Sequence, residues 1–159
     1  MRQLTEIRQG KTQLDAPLDV RDTWRVATIQ DETLNDSDKS FAVPASTERH
    51  VLNIWVEFTS TATVGNRQLV VEVQDSTTDV LAQWARPGVV QAASLTRHYE
   101  FAPGLPDDLA FRDTDYLRTP IPTTGLLKAT DILRVYDNNA VDAAADDMVV
   151  MIMYADRTV

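Results

Sequence analysis

The chain has 159 residues and no cysteine, with 24 acidic against 15 basic side chains and a formal net charge of −9. Without cysteine, disulfides and thiolate metal sites are excluded. A domain of this length buries about 70% of its unfolded-chain surface and needs no covalent staple. Basic residues occur singly rather than in a stripe, which argues against nucleic acid as a partner. The plain reading of the acidity is solubility; the sharper one is an outer surface on a large assembly, kept apart from its neighbours by repulsion.

In chain order, residues 1–23 form a distinct segment. It begins without a signal-peptide-like apolar run, and no window of the chain approaches the ~20 apolar residues of a membrane span. Synthesis in the cytoplasm is the expectation, with no membrane partner. Leu4, Ile7, Leu14, Leu18 and Val20 are spaced too irregularly for a helix, and Gly10 and Pro17 interrupt one. Five apolar side chains are many for a solvated tail. The segment therefore reads either as a frayed terminus or as an extended arm that docks on a neighbouring subunit, with those five residues as contact candidates.

From Trp24 onward the pattern is strand: RVATIQ at 25–30 and SFAV at 40–43, the latter stopped by Pro44. Residues 50–74, HVLNIWVEFTSTATVGNRQLVVEVQ, carry two strand patterns of period two. Gly65 and Asn66 tolerate the reversed φ of a tight turn, so this stretch predicts an antiparallel hairpin at the centre of the fold. Trp55 falls on its mixed face, opposite Ile54, Val56 and Phe58, and is a candidate contact residue. VLAQWA at 80–85 places Trp84 on a face with Val80 and Ala82. LTRHYEF at 95–101 alternates again. Pro120 and Pro122 confine the apolar piece near 117–121 to a sheet edge. ILRVY at 132–136 and MVVMIMY at 148–154 complete the set, the last apolar on both faces as if covered on both. Eight or nine strands with no helical period predict an all-β antiparallel β-sandwich over 24–159.

The chemistry is sparse. No nucleophile elbow is present, and His50 and His98 read as partly exposed strand histidines. The five glycines are isolated, so no phosphate loop is formed. Asp107, Asp108, Asp113, Asp115, Asp146 and Asp147 lie in predicted loops without the spacing of a calcium loop. We therefore expect no enzyme, no cofactor and no metal.

Two stretches, WVEFTSTATVGNRQLVVEV at 55–73 and TDILRVYDNNAVDAAADDMVVMI at 130–152, resemble the jelly-roll capsid cement (decoration) proteins of tailed bacteriophages. The resemblance covers roughly residues 24–156 and is one of general pattern rather than of an invariant motif. It implies a jelly-roll-like sandwich with an N-terminal arm and no catalytic site. The implied protein is a virion component that forms a homotrimer on the capsid exterior and clamps neighbouring major capsid proteins. Another phage structural part, such as a head-tail or tail component or a head fibre, and a carbohydrate-binding jelly roll are the alternatives.

Overall fold

A computed structural model describes residues 24–159, which fold into ten strands and no helix. In order these are β1 (Arg25–Asp31), β2 (Asp38–Ala42), β3 (Thr47–Thr59), β4 (Leu69–Gln74), β5 (Val80–Ala85), β6 (Thr96–Pro103), β7 (Tyr116–Ile121), β8 (Leu126–Leu127), β9 (Ile132–Asp137) and β10 (Asp147–Thr158). The candidate arm residues Leu4, Ile7, Leu14, Leu18 and Val20 lie outside the described residues.

The larger sheet runs β1-β10-β3-β6-β7, with the short β8 beside the start of β3; the smaller runs β2-β9-β4-β5. Strand pairs nest one inside another: β1 with β10, β2 with β9, β3 with β6, and β4 with β5. One long antiparallel ribbon, rolled so that alternate pairs fall in opposite sheets, produces that nesting. It is the jelly-roll form of the β-sandwich. The ribbon's tip is the β4–β5 turn. There the Asp75 carboxylate accepts hydrogen bonds from the Thr77 and Asp79 amides and the Thr77 hydroxyl, which holds its pKa below the usual carboxylate value. One pairing departs from the antiparallel rule: β7 runs parallel to β6 at the sheet edge, where Pro120 is tolerated.

The predicted hairpin at 50–74 is replaced by a crossover. β3 and β4 lie in different sheets, and residues 60–68 carry the chain between them. Nine connecting residues exceed the two to five of an ordinary hairpin. Gly65 still has a structural duty there. A Cβ on it would stand 2.7 Å from Val141 Cγ1, so only glycine lets the crossover approach the β9–β10 loop.

That approach is locked by a fully buried ion pair. Arg67 Nε donates to Asp146 Oδ2 at 2.9 Å and Nη2 to Oδ1 at 3.1 Å, with both side chains fully enclosed. Nη1 donates to the Thr63 and Gly65 carbonyls, and Nη2 also reaches the Thr61 hydroxyl. The planar fork is thereby satisfied in full.

The core lies between the sheets. Val51, Ile54, Val56 and Phe58 of β3 and Met148, Val150 and Ile152 of β10 meet Leu69, Val71, Val73, Leu133 and Val135 of the smaller sheet. Two further expectations are corrected. β5 loses register opposite Val71 and Glu72, and Trp84, the unpaired residue, packs against the core while Val80 and Leu81 stay exposed. β10 is central in its sheet, yet among the described residues nothing covers its outer face, where Met151 and Met153 are 39% and 40% exposed.

Candidate functional site

The two outer faces of the sandwich differ in chemistry. On the smaller sheet, Glu72 accepts from Arg134 Nη1 at 3.1 Å, from the Tyr136 hydroxyl at 3.0 Å and from Gln74 Nε2 at 2.7 Å. Arg134 reaches on to Asp38 and lies over the Tyr136 ring. Asp38 and Glu72 raise the Arg134 pKa. Burial together with Glu72 raises that of Tyr136. These charged groups are engaged with one another across β2, β9 and β4, while Val80 and Leu81 of β5 stay exposed at the edge.

The larger sheet presents an open face, and its residues follow from the pleat. With Ile54, Val56 and Phe58 turned inward, Asn53, Trp55 and Glu57 turn outward. Inward Val150 and Ile152 put Met151 and Met153 outside, inward Tyr99 and Phe101 put His98 and Glu100 outside, and inward Leu117 and Thr119 put Tyr116 and Arg118 outside. Register then sets these residues in rows. Gln30, Met151, Trp55, Glu100 and Arg118 cross five strands side by side. The next row is Val149, Glu57, His98 and Tyr116.

Trp55 stands within an aromatic cluster. Its ring stacks on His98 with centroids 5.7 Å apart at 23°, and His98 stacks on Tyr116 at 4.5 Å and 27°. Phe111 meets Tyr116 edge-on at 5.8 Å. Arg118 lies 3.7 Å over the Phe111 ring and donates to Glu100 at 2.8 Å, while Asn53 donates to the other Glu100 oxygen. Glu57 sits 3.7 Å from His98 Nδ1. The result is a stiff patch with a methionine half and an aromatic half, rimmed by paired charges. Methionine fills irregular gaps and aromatic rings supply contact area, the composition favoured where proteins meet.

Among the candidate contact residues, Trp55 alone falls within the described part, on this open face. Composition did not single out Met151, Met153, Tyr116 or Phe111. A signal existed in the alternation of β10, where methionines at 151 and 153 interleave with Val150 and Ile152. Over 150–153 the unbranched, adaptable side chains take the outer face and the β-branched ones the inner, although Met148 turns into the core and Val149 outward.

The loop carboxylates have local duties. Asp108 and Asp113 each accept the amide two residues on, at Ala110 and Asp115, and Asp147 accepts the Asn35 amide. Asp146 is taken by Arg67. Among the described residues no three His or acidic side chains converge as metal ligands. His50 lines a separate groove of about 290 Å³ with Trp24, Thr123, Thr124 and Leu126.

No protein-family model matches the chain, and no curated protein does. Solved structures of low similarity include an arabinose-bound α-L-arabinofuranosidase, at 16% identity and a TM-score of 0.35 over 85% of this chain and 22% of that one. The Gx strain of infectious bursal disease virus matches at 12% identity and a TM-score of 0.33, over 87% of this chain and 38% of that one. Turnip yellow mosaic virus matches at 9% identity and a TM-score of 0.31, over 86% and 80%. This chain thus spans well under half the length of the first two. Likenesses this distant carry no argument about function; the class that the strands define is an all-β sandwich.

Proposed function

We propose that the chain is a non-enzymatic structural protein of a bacteriophage virion. It binds the capsid exterior as a homotrimer and holds neighbouring major capsid proteins together. The observation that carries the reading is the open outer face of the larger sheet, where Met151, Met153, Trp55, His98 and Tyr116 form a contact-type surface on a rigid jelly roll. The sequence resemblance supplies the virion, and the acidic balance suits an exposed outer layer. A specific contact buries about 800 Å² per partner, and three copies joined by symmetry gain avidity without one strong site.

Two measurements test it. Expanded phage shells prepared with and without the protein are challenged by heat and osmotic shock; equal survival overturns the clamping role. The double variant Trp55→Ser with Met151→Lys is then titrated onto shells. We expect attachment to fall at least tenfold while the melting temperature moves little, because both side chains project from the outer face. Unchanged attachment removes this face from the function.

A carbohydrate-binding module is the second reading, favoured by the same aromatic cluster. A sugar platform needs a free ring face, however. His98 stacks between Tyr116 at 4.5 Å and Trp55 at 5.7 Å, and Arg112 lies over the Tyr116 ring, so ring faces of this cluster are already occupied. Binding on a glycan array that is lost in Trp55→Ser would favour this second reading over the first.

A further inference from the structure

Of the four strands that end the sheets, three are protected from pairing with another chain. β7 carries Pro120, and residues 108–116 hydrogen-bond back along it through Asp108–Arg118 and Phe111–Tyr116. β5 twice breaks register against β4. β2 has five residues, and its Lys39 is tied into the loop that follows β1, through Thr33 and Asp36. These are the usual ways in which sheet edges are blunted.

β1 has none of them. It runs seven residues in unbroken register with β10, without proline, glycine or lysine. Six of the seven are exposed, Val26 by 67%. The cause is architectural. β2 lies over β10 and β5 over β7, so β1 extends past the rim of the smaller sheet and, among the described residues, is open on both faces and along its edge.

The sequence of this edge is complementary to itself. When two copies of RVATIQD run antiparallel about an axis through Thr28, Arg25 stands opposite Asp31 twice, Val26 opposite Gln30, and Ala27 opposite Ile29. Arg25 makes no ion pair among the described residues. Asp31 accepts the Thr33 amide and Lys39 through Oδ1.

We infer that the β1 edge is a two-fold self-association surface. Two copies of this chain pair β1 to β1 in the register that sets Arg25 against Asp31, joining their larger sheets into one. The pairing is isologous, so it closes as a dimer. It is independent of the threefold ring proposed above, which a two-fold contact would link to a neighbouring ring.

The test uses the absence of natural cysteine. In the full chain, Thr28→Cys places two thiols on the axis. Antiparallel neighbours there have Cα atoms about 4.5–5.5 Å apart, within disulfide reach. Val26→Cys is the control, since its two copies stand roughly 14 Å apart, four residue rises along the strands. Under mild oxidation at low concentration we expect Thr28→Cys to form a covalent dimer and Val26→Cys to stay unlinked. Adding Arg25→Asp sets two acidic pairs face to face and should slow the linking roughly tenfold. Absence of linking, equal linking of both variants, or indifference to Arg25→Asp would each overturn the inference. Native mass by light scattering reads the trimer separately, so failure of one does not imply failure of the other.

Discussion

At the scale of single residues, the fold depends most on Arg67. Its guanidinium lies fully enclosed where two inter-sheet connections meet, and all its N–H groups find oxygen. Asp146 accepts the Thr61 amide as well as the guanidinium. Removing one partner strands the other's charge, so Arg67→Met or Asp146→Asn should each cost about 3–5 kcal/mol, read as a shift in urea midpoint. Arg67→Lys should recover little of the loss, because an ammonium cannot span both Asp146 oxygens and the Thr63 and Gly65 carbonyls. Tyr99 sets a limit at the alkaline end. Burial pushes its hydroxyl up to about 12 from an ordinary 10, and the hydroxyl donates to Gln91 Oε1 at 3.0 Å. The folded state holds that proton more tightly than the unfolded chain does. The stabilisation is therefore complete below pH 10 and lost as pH rises toward 12. Thermal melts across that window should show a steep decline that Tyr99→Phe partly flattens, while its lost bond to Gln91 lowers stability at pH 7.

Strands as local elements were legible in the sequence, because period-two alternation depends only on which faces are dry. Trp55 pointing away from Ile54 and Val56 follows from the same rule. Partnership between strands was not legible. The stretches at β3 and β4 look like a hairpin because both alternate and Gly65 with Asn66 lies between them. What decides the matter is Arg67 meeting Asp146, 79 positions later, and no local pattern reports that. The open face of β10 was hidden for a related reason. MVVMIMY is apolar at every position, and apolarity alone cannot distinguish a covered face from an interaction surface. The methionine-against-β-branched alternation of 150–153 is only a partial signal, since Met148 turns into the core and Val149 outward. The crossover itself is testable. Gly65→Ala would drive a methyl into Val141, whose two γ-carbons stand at 2.7 and 2.9 Å from that position. We expect a loss of about 1–3 kcal/mol, typical of overpacking. Val141→Ala in the same chain should restore part of it, and urea titration of the four proteins in the cycle measures the coupling.

At the scale of the whole molecule, the rolled ribbon and the charge act together. Nested pairing brings β1 to β10 across nearly the full described chain, so one body presents the internally paired charges of β2, β9 and β4 on one side and a methionine–aromatic face on the other. On the proposed reading, a body that binds through one face needs a means of staying dispersed until it is placed, and a net charge of −9 would supply it. The fold sharpens that charge. Asp31 is held below the usual carboxylate pKa first by the Thr33 amide, and Asp75 and Asp142 first by the hydroxyls of Thr77 and Thr63. Each keeps its negative charge to lower pH when folded than when unfolded. The sign follows: at a given acidic pH the native protein binds fewer protons than the denatured chain, and these three groups add stability that is lost only as pH falls through their depressed values. The sequence isoelectric point is near 4.5, and the native protein should focus below it. Isoelectric focusing with and without urea would measure the difference, with the urea form expected at the higher pH. Focusing at the same pH would mean that the three carboxylates are not held charged by the fold. Solubility should also be lowest near the native focusing point, where the repulsion that separates the open faces vanishes, and the Trp55→Ser, Met151→Lys variant should precipitate less there than the parent.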